Sequence, residues 1–147
     1  MKIRLFLLGM LLSGVLHAEG LVITPSPHDV DTTMSRLQDA VKARGLGIFT
    51  LIDHAAGAQK AGMQLAPYQV LLFGNPKLGT LLIQAKPTVG LDLPMKIAIW
   101  QDGQGNTQVA YRSADDLAAA YGLDPQSKPL GKVRGALAGL VKTATAP

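Results

Sequence analysis

Residues 97–111 have the sequence IAIWQDGQGNTQVAY and predict a β-hairpin. Apolar and β-branched residues at 97–100 and 107–111 are typical of strands. Between them, Asp102-Gly103-Gln104-Gly105 supplies glycines for the positive φ angles of a tight turn. A hairpin late in a chain of mixed strands and helices favours an α+β two-layer sandwich over a doubly wound parallel sheet. We expect helices to cover one face of the sheet.

Strands and helices are also predicted on both sides of this hairpin. Strands are expected at 21–24, 48–52 and 69–73, and a glycine- and proline-containing loop at 87–94. Helices are expected from the Asp29 cap to Gly45, at 55–63, from Pro76, from the Ser113 cap to Gly122, and at 130–143. The last of these has Leu130, Val133, Leu137, Leu140 and Val141 on one face. It is predicted to pack on the sheet, the alternative being a basic helix at a membrane surface.

Residues 1–18 are typical of a secretory signal. Lys2 and Arg4 precede an apolar run of about 12 residues, which is shorter than the roughly 20 needed to span a bilayer. The run ends at Ala18, so we expect cleavage before Glu19, a periplasmic location and a single domain at 19–147. The alternative is a retained membrane anchor. No cysteine is present for lipid attachment.

Composition narrows the classes of function. Without Lys2 and Arg4 the chain has 12 basic and 10 acidic residues, and its aromatic residues do not alternate with basic ones, so we expect no nucleic-acid binding. Beyond the signal the only histidines are His28, expected to be solvated, and His54. No nucleophile motif and no histidine pair at metal-binding spacing is present. We therefore expect no cofactor, no metal and no further membrane span.

Asp53 and His54 form the first candidate site, at a predicted strand end. A histidine there can bind a ligand, act as a general base or change charge near neutral pH. The structural alternative is that Asp53 caps the following helix and His54 packs beside a backbone carbonyl.

The second candidate site is the segment Gly74-Asn75-Pro76-Lys77. It joins the end of a predicted strand to the start of a predicted helix, where free backbone amides attract anions. It lacks the Gly-Lys-Ser/Thr ending of a nucleotide loop. The structural alternative is that Asn75 caps the helix, Pro76 forms its first turn and Gly79 permits close packing.

Asp92 is the third candidate, because it lies between Leu91 and Leu93. A carboxylate among apolar residues needs a partner or has a raised pKa. We expect His54, Asn75 or Lys96 as the partner, and the structural alternative is a hydrogen bond to loop amides.

Three segments together resemble one bacterial family. IDHAA at 52–56, FGNPKLGT at 73–80 and GLDLPMK at 90–96, with Trp100, Asp102-Gly103 and Tyr111, are similar to the domain of unknown function 302 family over roughly 24–123. The resemblance implies a β-α-β(4)-α sandwich with a TATA-binding-protein-like antiparallel sheet, commonly found as a homodimer. It implies no established activity.

These observations favour an exported, non-catalytic homodimer that binds a small anionic ligand or an envelope protein. The binding crevice is expected to be lined by Asp53, His54, Asn75, Lys77 and Asp92, with His54 and Asn75 on one rim. The second chain is expected to cover the sheet face at the hairpin. The alternative is a small hydrolase or isomerase in which His54 is the base and Asp92 orients it.

Overall fold

The structure, a computed structural model, describes residues 16–18 and 20–147. Six antiparallel strands form one sheet in the order β1-β2-β6-β5-β4-β3. They are β1 Leu16–Ala18, β2 Leu21–Ser26, β3 Gly47–Asp53, β4 Tyr68–Gly74, β5 Met95–Gln101 and β6 Thr107–Arg112. Residues 1–15 of the predicted signal and Glu19, its expected cleavage point, lie outside the described residues, whereas residues 16–18 form β1.

The described residues also form five α-helices and one 3₁₀ helix. They are α1 Val30–Ala43, α2 His54–Lys60, α3 Pro76–Ala85, the 3₁₀ helix Pro87–Asp92, α4 Ala114–Tyr121 and α5 Lys128–Ala144. Alternate strand residues are fully buried beneath the helices, including Leu71, Phe73, Ile97, Ile99 and Val109. The opposite sheet face carries half-buried residues such as Val70 and Ala98. The predicted α+β class and antiparallel sheet are confirmed.

Local sequence signals account for the helix ends. The Asp29 carboxylate accepts a hydrogen bond from the Thr32 N–H at 2.7 Å, so it caps α1 as expected. Gly45 and Gly122 follow α1 and α4 with φ angles of 66° and 64°, in the left-handed region that glycine adopts freely. The five apolar residues predicted on one face of α5 are all buried.

Two local predictions need correction, and one further feature was not predicted. The expected loop at 87–94 contains the 3₁₀ helix, which is followed by a cis Leu93-Pro94 peptide. In the hairpin turn only Gly105 has a positive φ, because the Asp102 carboxylate also shapes the turn by accepting the N–H groups of Gln104 and Asn106. A β-bulge, which the sequence did not predict, interrupts β3 between Ile48 and Thr50.

Among the described residues, no helix has both the length and the apolar character needed to cross a membrane.

Candidate functional site

The candidate residues lie at two opposite ends of the sheet. Asp53, at the end of β3, pairs with Gln69 near the start of β4, whereas Gly74, at the end of β4, pairs with Gly47 at the start of β3. At about 3.4 Å per residue, the two strand ends are roughly 20 Å apart. The expectation that His54 and Asn75 share one rim is therefore wrong, because neighbouring antiparallel strands finish at opposite ends of the sheet. We call these the His54 end and the Asn75 end.

Asp53 and His54 make different contacts at the His54 end. The Asp53 carboxylate accepts a hydrogen bond from the Ala56 N–H at 2.8 Å and caps α2. Asp53 therefore has the capping role that was considered as the alternative to a binding role. The exposed His54 ring lies edge-on to the Tyr68 ring, with centroids 5.4 Å apart, and Tyr68 stacks on Trp100 at 5.9 Å. In the part of the chain that is described, no hydrogen bond joins His54 to a carboxylate.

Other carboxylates at the His54 end also bind local donors. A hydrogen bond from Gln108, followed in strength by one from the Asn106 backbone, lowers the pKa of Asp102. The backbone hydrogen bond from Thr32 lowers the pKa of Asp29. A polar depression lies near these groups, with Ser26, Gln101 and Asn106 in its wall. These carboxylates therefore stabilise turns and helix starts.

His28 was expected to be solvated, but its ring is half-buried. The ring Nε2 lies 2.8 Å from the Ala146 carbonyl oxygen, close to the carboxyl end of the chain. Arg36 donates to the same carbonyl at 2.8 Å. His28 therefore helps to hold the end of the chain against α1.

At the Asn75 end the predicted anion-binding residues are largely structural. The Asn75 side-chain oxygen accepts the Lys77 N–H at 2.9 Å and caps α3, and Pro76 is the first helical residue. The Lys77 side chain is exposed. Gly79 does not mediate a close approach, because a Cβ atom built there would have Leu93 as its nearest neighbour at an ordinary 3.9 Å.

Asp92 has partners other than those expected. Its carboxylate forms an ion pair with Arg112 and accepts a hydrogen bond from the Tyr121 hydroxyl at 2.8 Å. Lys96 instead donates to the Pro94 carbonyl at 3.4 Å. The requirement for a partner is met, but His54, Asn75 and Lys96 do not provide it.

The ion pairs around Arg112 connect β6, α4 and the 3₁₀ helix. Arg112 also pairs with Asp116, and that hydrogen bond is the main reason why the pKa of Arg112 is raised. The hydrogen bond to Asp92 raises the pKa of Tyr121. Sequence reasoning missed Arg112 and Tyr121, since neither belongs to a local motif with Asp92. We call Asp92, Arg112, Asp116 and Tyr121 the Arg112 cluster.

The Arg112 cluster and His54 do not form one site. Continuing the β5–β6 pairing beyond Ala98–Ala110 places Arg112 about three residues from Asp53 along the strand direction. Arg112 is also three strand spacings from Asp53 across the sheet, because β5 and β4 lie between β6 and β3. These steps amount to roughly 10 Å and 14 Å.

Among the described residues, no three histidine or carboxylate side chains are grouped to hold a metal ion.

An apolar cavity lies at the Asn75 end, between α3, the 3₁₀ helix and α5. Its volume is about 320 Å³, and its floor is made by the buried side chains of Phe73, Leu82 and Leu137. Phe49, which is 57% exposed, lies at its mouth. Of the predicted site residues, only Asn75 lines it. The sequence did not predict this cavity, because its walls come from distant segments.

Comparison with known proteins identifies the fold. A family model described as "Domain of unknown function DUF302" matches residues 22–144. The chain is also similar to the crystal structure of an uncharacterized conserved protein DUF302 from Bacillus stearothermophilus, with a TM-score of 0.76 and 20% sequence identity. That similarity covers 86% of this chain and 99% of the other.

Curated relatives share part of their length with the chain. It is 41% identical over 104 residues to fluoride-specific ion channel FluC 1 of Brucella suis biovar 1 (strain 1330). The aligned region covers 71% of this chain and 41% of the relative. Fluoride-specific ion channel FluC 2 of Brucella melitensis biotype 1 is also 41% identical, with 38% of its length covered. The chain thus spans about two fifths of the curated relatives it matches.

Proposed function

The chain belongs to the DUF302 family, and we propose that it is an exported, non-catalytic binding module that acts as a homodimer. The observation that supports this proposal is the exposed edge strand β3. Among the described strands, β3 pairs with β4 alone. Phe49, Leu51 and Ile52 on this strand are 57%, 41% and 39% exposed. A long, apolar edge with unpaired backbone groups favours pairing with another strand.

A second copy of the chain fits this edge. Residues 47–52 carry no charge, so two β3 strands can approach in antiparallel orientation around a two-fold axis. Leu51 lies on the helix-covered face with Leu71, and Ile52 lies on the open face with Val70. A partner strand would therefore bury apolar side chains on both faces. We propose the dimer contact at β3 and not on the sheet face at the hairpin, because Ala98 and Ala110 on that face are already half-buried, whereas the apolar side chains of β3 are exposed.

Replacement of Ile52 tests the dimer. Ile52→Lys introduces a charged side chain into the apolar contact on each copy, whereas Leu91→Lys adds the same charge at an apolar residue that is 82% exposed and lies outside β3. Sedimentation velocity at micromolar concentration should give dimers for the unmodified protein and Leu91→Lys, and monomers for Ile52→Lys. A monomeric unmodified protein, or a dimeric Ile52→Lys variant, contradicts the proposal.

The non-catalytic assignment rests on the separation of His54 from Asp92. A general base and its orienting carboxylate need hydrogen-bond contact, and Asp92 instead contacts Arg112 and Tyr121. This arrangement favours a binding role over the alternative hydrolase or isomerase.

Export is proposed from the amino-terminal pattern alone. A charged start, a short apolar run and Ala18 predict cleavage before Glu19 and a periplasmic location. Amino-terminal sequencing of the exported protein should begin at Glu19. Recovery of membrane-held protein that starts at Met1 would support a retained anchor instead.

A membrane transport protein is the second candidate partner. The relatives named fluoride-specific ion channels contain a region similar to this chain together with about three fifths of additional polypeptide. In this candidate function the chain acts together with such a channel. Fluoride efflux from vesicles that contain a fluoride channel should change at least twofold when the protein is added, and unchanged efflux contradicts this candidate.

A further inference from the structure

We propose that the cavity at the Asn75 end binds a small, uncharged, apolar molecule. This inference rests on the ligand-binding part of the proposed function and names the class of ligand. The volume of about 320 Å³ lies within the range of small-molecule sites, roughly 300–1,000 Å³. It is about twice that of an engineered apolar cavity of about 150 Å³ that binds benzene. A molecule with two fused aromatic rings is therefore a suitable probe.

Two glycines provide room in the cavity wall. Gly79 on α3 and Gly90 on the 3₁₀ helix both line the cavity. A Cβ atom built at either position would have its nearest neighbour 3.9 Å away, on Leu93 or on Ile83. A methyl group would therefore fit at either position, in van der Waals contact with a side chain of the cavity wall.

The lining selects against charge. Within the part of the chain that is described, no charged side chain lines the cavity, and Asn75 and Thr80 are the polar side chains in its wall. A charged ligand would lose hydration without gaining a partner of opposite charge. Water in such a space also finds few hydrogen-bond partners, so an apolar molecule can displace it at little cost.

Naphthalene and 2-naphthoate test the ligand class, because they share the ring system and differ by one carboxylate. Equilibrium dialysis of the full exported protein should show naphthalene binding at least tenfold tighter than 2-naphthoate. Equal binding of the two compounds, or no binding of naphthalene up to its solubility limit, overturns the proposal.

Gly79→Leu tests the location, with Gly57→Leu as its matched control. Both glycines lie within helices, but Gly57 on α2 has open space around it and is not part of the cavity wall. Gly79→Leu should weaken naphthalene binding at least tenfold, and Gly57→Leu should leave it unchanged. If circular dichroism shows that Gly79→Leu is unfolded, Gly79→Ala provides the smaller change and should weaken binding at least twofold. Unchanged binding in a folded Gly79 variant overturns the proposal.

The Ile52→Lys variant separates this inference from the dimer proposal. Ile52 does not line the cavity, although Phe49 on the same strand lies at its mouth, so the folded monomeric variant should still bind naphthalene. Loss of the dimer with retained binding supports both proposals. Loss of binding in folded Ile52→Lys places the ligand at the subunit contact and overturns the cavity assignment.

Discussion

The His54 end and the Asn75 end of the sheet begin from the same local pattern and have different surroundings. At each, a strand runs into a helix whose first N–H groups bind an Asp or Asn side chain, Asp53 in one case and Asn75 in the other. At the His54 end, α2 contributes no buried residue. At the Asn75 end, α3 buries Leu82 and borders the apolar cavity. The polar residues therefore stabilise the two junctions, whereas open volume depends on how distant segments pack.

Truncation of one aromatic residue at each end gives the largest expected contrast. Phe73 is 2% exposed and forms the cavity floor, so Phe73→Ala should lower the free energy of unfolding by about 3–5 kcal/mol. Tyr68 at the His54 end is only half-buried, and Tyr68→Ala should cost clearly less. Urea unfolding of the two variants measures the difference. Equal losses would mean that the cavity floor does not belong to the core.

Asp92 and Asp115 provide the next contrast, within the Asn75 end. Asp92→Ala leaves the Tyr121 hydroxyl without its acceptor and removes an ion pair of Arg112, so it should lower the melting temperature. Asp115 pairs with Arg134 on the exposed surface, so Asp115→Ala should have a smaller effect. Thermal melts compare the two. Equal melting temperatures would show that the Arg112 cluster does not contribute to stability as its contacts imply.

Replacement of one helical glycine at each end of the sheet should have a smaller effect. Alanine at Gly79 or Gly57 should stabilise the protein by about 0.4–1 kcal/mol, because both positions are helical and have room for a methyl group. Gly79→Ala should gain at least as much as Gly57→Ala, since its methyl group also contacts the cavity wall. Melting temperatures provide the test, and destabilisation by Gly79→Ala would show that the space beside α3 is not open.

Acidification should weaken the His54 end, and this is the smallest expected effect. The hydrogen bonds from Gln108 and Asn106 keep the pKa of Asp102 below its ordinary value of 3.8 in the folded chain. The stabilisation is therefore present above pH 3.8 and is lost as pH falls through the lower folded pKa. Asp102→Asn should lose less stability than the unmodified protein between about pH 5 and pH 2. Identical acid sensitivity in urea titrations would remove Asp102 from this account.

Short-range sequence signals predicted much of the fold. The Asp29 cap, the turn glycine Gly45 and the late hairpin each depend on a few consecutive residues, and each lies where it was expected. The mixed order of strands and helices predicted the α+β class, and the resemblance carried by the three family segments implied the antiparallel sheet. The positive φ angle predicted for Gly103 was wrong, because the Asp102 side chain also stabilises the turn by accepting a hydrogen bond from the Gln104 N–H.

The arrangement of the candidate residues could not be predicted from the sequence, because it depends on contacts between distant segments. His54 and Asn75 follow similar junctions, and only the antiparallel order of β3 and β4 shows that they lie at opposite ends. Asp92 finds Arg112 and Tyr121 20 and 29 residues further along the chain. No local pattern specifies such contacts, because they depend on how α4 and the 3₁₀ helix pack.

NMR titration of the protein with naphthalene and with phosphate tests the central claim, that binding belongs to the apolar cavity and not to a polar crevice. Naphthalene should shift the amide signals of Gly74 and Gly79, which line the cavity, and leave those of Asp53 and His54 in place. Phosphate should move neither set. Phosphate-dependent shifts at His54 or Asn75, with no response of Gly79 to naphthalene, would contradict the account.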